Sequence, residues 1–304
     1  MNLRKTLLQP GWYFQNPLKI GDFLQKSAET GPKPAGRTIA AVAPHAGWHY
    51  SGSLAAWAVA ALGVDNPQFG IDRPGTIAII GGHLPEGMPA LFAMEDAADT
   101  PLGGMEIDGE LRGVLLNNFQ SIPGFKTAED RYQDNTVEVL LPMVKYFFPE
   151  AMLLWARFPA DILSFNAGKI LARTAASLDR ELLVLGSTDL THYGAHYHFC
   201  PHGTGQEALD WVKTVNDRRF IGAVEAGDPS AVLNRAGEEH SACSAGAVLG
   251  VMGYAEEFRA AGMPGSKGSA AELLAYGTSA DISIEDEGVF PDSFVGYGAF
   301  VFTA

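Results

Sequence analysis

The sequence is poor in cysteine, in basic residues and in long apolar segments. Cys200 and Cys243 are its only cysteines among 304 residues, which excludes a disulfide framework but not a single bridge. Lysine and arginine number 21 against 35 aspartates and glutamates, so the net charge is −14. Because no basic cluster is present to neutralise phosphates, we expect no nucleic-acid partner and no binding to anionic membrane surfaces.

No apolar run approaches the ~20 residues that a bilayer span requires, so no membrane segment is expected. Residues 1–10 include basic side chains, but their apolar stretch is too short for a signal peptide. We therefore expect a cytoplasmic protein. Hydrophobic residues make up 47% of the chain and charged residues 18%, which is enough apolar material for a large core.

Short apolar runs alternate with helical patterns along the chain. The predicted strands are residues 38–43, 76–80, 152–156, 182–186, 272–276 and 294–302, and the predicted helices are 54–62, 136–147, 166–178, 207–226 and 243–261. Continuous apolar strands indicate burial on both faces, which predicts an α/β fold with a mostly parallel central sheet and helices on both faces. A Gly/Ser-rich loop at 262–271 lies between elements, so we expect one α/β domain over residues 1–304.

Several of these strands are followed by polar side chains that suit chemistry. His45 and His83 follow two predicted strands, and Asp189 and His192 follow a third. Ligands of open α/β sheets bind outside the carboxyl ends of the strands, and imidazole is a good ligand for Zn, Cu, Fe and Ni. A carboxylate can orient a nearby imidazole, so His192 beside Asp189 is a candidate general acid/base or fourth ligand.

Cys243 lies just before an apolar predicted helix, where the helix dipole and free N–H groups favour a thiolate. It is therefore a candidate soft metal ligand or nucleophile, and the same position also suits a small buried packing residue. We interpret His49 as a histidine that lies on the surface or supports a ligand without binding the metal, because the glycine and proline around it favour a loop. A further group does not match the spacing of structural zinc sites and is interpreted as polar loop residues: His196, His198, Cys200 and His202.

Two motifs, Pro44-His45-Ala46-Gly47 and Asp189-Leu190-Thr191-His192-Tyr193-Gly194, resemble those of the Memo family, also described as protein B of the AmmeMemoRadiSam system. The resemblance covers nearly the whole chain. Its other members are Pro10-Gly11-Trp12-Tyr13, Tyr50-Ser51-Gly52, His83, Glu138, Leu141-Pro142, Cys243 and Tyr297-Gly298-Ala299.

The resemblance implies a fold like that of class III extradiol dioxygenases, which hold non-haem Fe(II) with two histidines and a glutamate and open catechol rings with O2. In Memo-like proteins the corresponding cleft has two histidines and a cysteine. Carried over to this chain, His45, His83 and Cys243 become the metal ligands, and Asp189 and His192 lie beside them.

This chain departs from the family pattern in three places. Gly81-Gly82-His83 stands where the family usually has Gly-Pro-x-His, so the loop that carries His83 is one residue shorter. Asp134-Asn135 stands at the start of the family's Glu-His-x-x-Glu, which removes an imidazole. Ser244 follows Cys243 where the family has glycine, which preserves the thiol but alters the turn.

The first hypothesis is a metal-dependent enzyme of the extradiol dioxygenase type that acts on an aromatic or small organic substrate. Fe(II) suits a dioxygenase, but a thiolate ligand is softer than a carboxylate and shifts the preference toward Cu or Zn. His192, oriented by Asp189, would remove and return a phenolic proton. Two alternatives are a non-catalytic metal- or ligand-binding module that acts through protein partners, and an enzyme with Cys243 as a nucleophile activated by His192.

Overall fold

The apolar segments of the sequence form the centre of a mixed β-sheet. We analysed a computed structural model, which describes residues 2–63, 75–262 and 271–304. Its strands are β1 (Leu3–Arg4), β2 (Thr38–Ala43), β3 (Thr76–Leu84), β4 (Ala90–Phe92), β5 (Ala97–Ala98), β6 (Met105–Glu106), β7 (Thr127–Glu129), β8 (Met152–Pro159), β9 (Leu182–Ser187), β10 (His192–Gly194), β11 (Ala271–Thr278) and β12 (Ser293–Thr303).

The large sheet has the strand order β10-β12-β2-β9-β3-β8-β4-β7, and β11 also pairs with β12. Its four central strands, β2, β9, β3 and β8, run parallel to one another. The sheet turns antiparallel at both flanks, where β12 pairs with β2 and β4 pairs with β8. Strands β1, β5 and β6 form a separate small sheet. The carboxyl ends of the central strands therefore meet at one edge, as the sequence predicts.

Helices flank the sheet and connect its parallel strands. They are α1 (Pro17–Thr30), α2 (Trp48–Ala61), α3 (Gly109–Asn118), α4 (Asn135–Glu138), α5 (Leu141–Phe147), α6 (Leu163–Ser177), α7 (Gln206–Trp211), α8 (Asp217–Glu225), α9 (Pro229–Glu238), α10 (Ala245–Ala260) and α11 (Ser279–Glu287). Among the described residues, no helix is both long enough and apolar enough to span a membrane.

Successive residues of the central strands alternate between two apolar cores. Ala78 and Ile80 of β3 face one core, which includes side chains of α3, α6, α8, α9 and α10. Ile77 and Ile79 face the other, which includes side chains of α1, α2 and α5. This alternation follows from the two-residue period of a strand, and it confirms the predicted α/β fold with helices on both faces.

The predicted helix over residues 136–147 is wrong as a single element, because it is divided into α4 and α5. Pro142 lies in the first turn of α5, where a missing N–H is tolerated, whereas inside a continuous helix it would remove a hydrogen bond. The predicted helix 207–226 is continuous but contains a π-helical segment, Val212–Asn216. Most of the predicted loop at 262–271 lies outside the described residues.

The π-helical segment ends beside the chain that carries Asp189 and His192. Asp217 is fully buried and accepts hydrogen bonds from the Thr191 backbone N–H (3.1 Å), from the Thr191 hydroxyl and from the Tyr276 hydroxyl (2.7 Å). Burial raises the pKa of Asp217 to about 6. This carboxyl group therefore anchors the predicted site segment to the body of the protein.

Asp217→Asn should change how the stability depends on pH. Because the folded pKa lies above the ordinary carboxyl value, the folded chain binds more protons than the unfolded chain between about pH 4 and pH 6, and stability falls as pH rises through that window. The variant has no ionisable group at this position and does not lose this stability. The difference in free energy of unfolding, variant minus parent, should therefore rise by on the order of 2–3 kcal/mol between about pH 4 and pH 7.

Urea denaturation at a series of pH values measures this difference. The exposed Asp210 of α7 provides the control, because Asp210→Asn removes a carboxylate that lies on the surface. Parallel stability profiles for Asp217→Asn and the parent would show that Asp217 ionises as freely in the folded chain as in the unfolded one.

Candidate metal centre

His45 lies directly beyond the carboxyl end of β2 and is fixed from both sides. Its backbone N–H donates to Asp189 Oδ1 at 2.7 Å, and its ring Nδ1 is 2.8 Å from the hydroxyl of Ser187, the last residue of β9. The side chain is only 1% exposed. With Nδ1 engaged by Ser187, the ring presents Nε2 to its remaining neighbours.

His83 reaches the same edge through an irregularity at the end of β3. The pairing with β8 shifts register between Gly81 and Leu84, and His83 has a left-handed φ of 57°. Side chains at Gly81 and Gly82 would collide with Thr136 and Ser244, so both glycines are required by close packing. The shorter Gly-Gly-His segment thus still delivers His83 to the site.

Cys243 completes the cluster from the turn before α10. Its Sγ lies 3.3 Å from His45 Nε2, and its backbone N–H donates to the Asp189 carbonyl at 3.3 Å. The rings of His45 and His83 are 4.9 Å apart between centroids and nearly perpendicular. One ligand atom from each of His45, His83 and Cys243 lies within 4.8 Å of the others. The structure therefore brings together the three residues predicted as metal ligands.

The charges of these groups stabilise one another. Burial disfavours a charged His45, but the carboxylate of Asp189 and the thiol of Cys243 outweigh it and raise the pKa of His45. Burial likewise opposes the rise at His83, yet Asp134 and Cys243 raise its pKa to about 10. Although burial alone would raise the pKa of Cys243, the two imidazoles hold it well below the ordinary thiol value. The cluster thus favours a thiolate.

Asp189 and His192 both line the cavity in front of the cluster, but no hydrogen bond joins them within the described part of the chain. Asp189 bonds instead to the His45 backbone, and burial raises the pKa of its carboxyl group. His192 is half-buried and packs its ring 4.9 Å from that of Tyr197. The hydrogen bond of the Asp189 carboxylate goes to His45, and the orientation of His192 by Asp189 stays a prediction.

The cavity has a volume of about 500 Å³ and is open to solvent on one side. His45, His83, Asp189 and His192 form part of its wall. Aromatic side chains from four separate segments form part of the rest: Trp12, Tyr50, Tyr197 and Tyr297. A planar organic molecule can therefore reach the histidines against aromatic surface.

Two residues outside the sequence prediction hold the histidines in place. Ser187 contacts His45, and Asp134 Oδ2 lies 3.0 Å from His83 Nδ1. Ser187 directly follows the apolar run of β9 and could have been found as a strand-end polar group. Asp134 gives no such signal, since it is 51 positions from His83 in the chain.

The other histidines and Glu138 lie outside the cluster. His49 is exposed and pairs with Asp286 at 3.6 Å, which agrees with its interpretation as a surface residue, but it lies in the first turn of α2 and not in the expected loop. Glu138 accepts the backbone N–H groups of Leu7 and Leu8 and so ties down the N-terminal segment. Across residues 2–63, 75–262 and 271–304, no second group of three close ligand atoms from histidine, cysteine or acidic side chains occurs.

Comparisons with known proteins identify the family of this chain. A family model described as Memo-like protein matches residues 4–301. A MEMO1 family protein of Pyrobaculum aerophilum is 31% identical over 173 residues, which cover 54% of this chain and 57% of that protein. A MEMO1 family protein of Pyrococcus horikoshii is 27% identical over 291 residues, which cover 93% of this chain and 92% of that protein.

The solved structures that match include one of an uncharacterized protein from Escherichia coli K12. It has a TM-score of 0.45 and 10% identity, and the match covers 87% of this chain and all of that chain. This similarity is too low to support an inference about the fold or the site. The alignments to the Pyrobaculum relatives span a little over half of those proteins.

The thiolate state of Cys243 can be tested by alkylation of the metal-free protein. Because the imidazoles keep the pKa of Cys243 low, its iodoacetamide labelling rate should change less than about threefold between pH 6 and pH 8. We expect Cys243 to label faster than the exposed Cys200 at the lower pH, and Zn²⁺ to protect Cys243 alone. Mass spectrometry of the labelled peptides measures both rates, with Cys200 as the internal control. A roughly tenfold rise per pH unit at Cys243 would instead indicate an ordinary thiol.

Proposed function

We propose that this chain, which belongs to the Memo-like protein family, binds a divalent transition metal through His45, His83 and Cys243 and oxidises an aromatic or small organic substrate. The observation that carries the proposal is the convergence of three ligand atoms within 4.8 Å, two of which belong to His45 and His83 in the wall of an aromatic-lined cavity. The cavity has room for a substrate beside the three ligands, which is what a catalytic metal site requires.

The donor set fits a transition metal. Two imidazole nitrogens and one thiolate suit Fe, Cu or Zn, whereas Mg and Ca prefer oxygen ligands. The outer nitrogen of each histidine also has a partner, Ser187 for His45 and Asp134 for His83, as is usual for metal-binding histidines. Fe(II) is the metal that best suits a dioxygenase, and the thiolate increases the relative affinity for Cu or Zn.

The metal, when bound, would supply Lewis acidity and, if it is iron or copper, redox chemistry toward O2. The chain itself would bind and orient the substrate. Tyr50, Tyr197 and Tyr297 offer ring faces on which an aromatic substrate can stack. His192, whose ring borders the same cavity, is placed to accept a phenolic proton from such a substrate and return it.

Asp189 would act on the cluster rather than on the substrate. Its side chain holds the His45 backbone, and its carbonyl oxygen accepts the Cys243 backbone N–H and lies 3.6 Å from the Cys243 Sγ. Its Oδ2 is also 3.9 Å from His45 Nε2. Loss of this carboxylate would therefore release His45, whereas the backbone carbonyl would still hold Cys243.

Single substitutions of the ligands should remove the metal without unfolding the chain. His45→Ala, His83→Ala and Cys243→Ala should each weaken metal binding by more than roughly 10- to 100-fold, which is the typical effect of losing a residue that only hydrogen-bonds to a metal ligand. Elemental analysis of anaerobically purified protein, with circular dichroism as the fold check, measures the effect. His49→Ala is the matched control, because it removes an imidazole 62% exposed and outside the cluster. Parent-like metal content in all three ligand variants would refute this site.

His192→Ala separates a base from a ligand. If His192 moves the substrate proton, the variant should keep most of its metal and lose turnover by about 10²- to 10⁴-fold, the usual contribution of a general base. O2 uptake with a panel of catechols, measured on iron- and copper-loaded protein, provides the readout. His196→Ala is the control, since that histidine is exposed and does not line the cavity.

Other outcomes of the same measurement are equally informative. Loss of metal from His192→Ala would make His192 a fourth ligand, and unchanged turnover would remove it from the mechanism. If the loaded parent consumes no O2 with any catechol, the enzyme proposal fails. A metal-binding module that acts through protein partners then becomes the better description.

A further inference from the structure

A buried row of alternating charges runs from the N-terminal strand to His83. Arg4 Nη2 lies 3.5 Å from Asp130 Oδ2, and Arg157 Nη1 lies 3.4 Å from Asp130 Oδ1. Arg157 Nη2 lies 3.0 Å from Asp134 Oδ2, and that oxygen lies 3.0 Å from His83 Nδ1. At least nine-tenths of the side-chain surface is buried in Arg4, Asp130, Arg157 and Asp134.

Arg157 is the centre of this row because it contacts three segments at once. Its Nε donates to the Gly82 carbonyl at 3.1 Å, and its two terminal nitrogens reach Asp130 and Asp134. Only a guanidinium has donors spread in a planar fork that can serve three acceptors in this way. Arg157 therefore holds both the backbone irregularity that carries His83 and the carboxylate that contacts its ring.

His83 needs such external support more than His45 does. It adopts a left-handed backbone conformation, which costs free energy in a residue other than glycine. About a third of its side chain, 32%, is exposed, whereas His45 is 1% exposed. Packing alone therefore leaves the His83 ring freer to rotate, and its hydrogen bond to Asp134 must provide the orientation.

We propose that Arg157 is a positioning residue for His83: through Asp134 and the Gly82 carbonyl, it holds the ring with Nδ1 bonded outward and Nε2 toward Cys243. The value of this arrangement for metal binding rests on the function proposed above. The positioning itself does not, because the contacts exist in the chain without any ion.

Asp134 is held correctly only while both of its acceptor atoms are occupied. Oδ1 accepts the Thr136 backbone N–H at 2.8 Å at the start of α4, and Oδ2 is shared by Arg157 and His83. Without Arg157, Oδ2 keeps only the partly exposed His83 ring as a partner, in a site where water has little access. The carboxylate would then reorient toward solvent and release the ring.

Three variants and a control test the proposal. Arg157→Met removes the fork, and Arg157→Lys keeps a charge that cannot reach all three acceptors. Asp134→Asn preserves the cap oxygen for Thr136 but places a donor against His83 and Arg157. Arg112→Met is the control, because Arg112 donates only to the carbonyls of Ala93 and Glu95, away from the cluster.

Two readouts are needed. The first is Zn²⁺ affinity, which should fall about 10- to 100-fold in Arg157→Met and Asp134→Asn and stay at the parent value in Arg112→Met. The second is the NMR signal of the His83 Nδ1 proton in proton–nitrogen spectra of metal-free protein labelled with nitrogen-15 histidine. The variant His83→Gln assigns this signal. We expect a protected, hydrogen-bonded proton in the parent and in Arg112→Met. In Arg157→Met and Asp134→Asn we expect this signal to disappear, because the proton then exchanges rapidly with solvent.

The outcomes separate this inference from the proposed function. A protected Nδ1 proton together with parent-like Zn²⁺ affinity in Arg157→Met would overturn the positioning role. If Arg157→Met does not fold, Arg157→Lys replaces it, with a smaller loss expected in the same direction and parent-like behaviour again refuting the role. If the parent itself binds no Zn²⁺, the metal proposal fails, while the Nδ1 proton still decides whether Arg157 positions His83.

Discussion

The candidate site depends on how the buried Asp189 carboxylate and its backbone are satisfied. A carboxylate removed from water must find donors, and Asp189 finds one in the backbone N–H of His45. Its own carbonyl accepts the N–H of Cys243. Through these two bonds the end of β9 joins the end of β2 to the turn before α10. The distance between the His45 ring and the Cys243 thiol is therefore set by hydrogen bonds to a single residue.

The same site concentrates charges that would be unfavourable one at a time. A buried thiolate, two imidazoles and the carboxylates of Asp134 and Asp189 lie close together, and groups of opposite charge lower the cost of charging one another. Arg157 adds the positive charge that the acidic groups beside His83 require. Removal of one member would leave others unpaired in a poorly solvated region, so the cluster and its supports form one electrostatic unit.

Local pattern explains which parts of the fold could be predicted. Strand β2 has the predicted bounds because all six of its residues are apolar or β-branched and end at a proline. Helices α3 and α9 were not predicted because few of their residues are buried, two in α3 and one in α9. In α3 the apolar and polar residues also show almost no helical periodicity. Glycines at 81 and 82 indicate a turn but do not show that Thr136 and Ser244 fill the space beside them.

The sequence by itself determined the α/β fold and the two strand-end histidines of the cluster, His45 and His83, whereas the choice of Cys243 as the third ligand came from the resemblance to the Memo family. It could do so because strand period and the edge at which parallel strands end are local rules. Tertiary structure decided the partners: Ser187 on His45, Asp134 on His83, and Asp189 on the His45 backbone instead of on His192. These contacts join residues that are 51 to 144 positions apart, and only the packing of strands and loops chooses among the many donors and acceptors the chain contains.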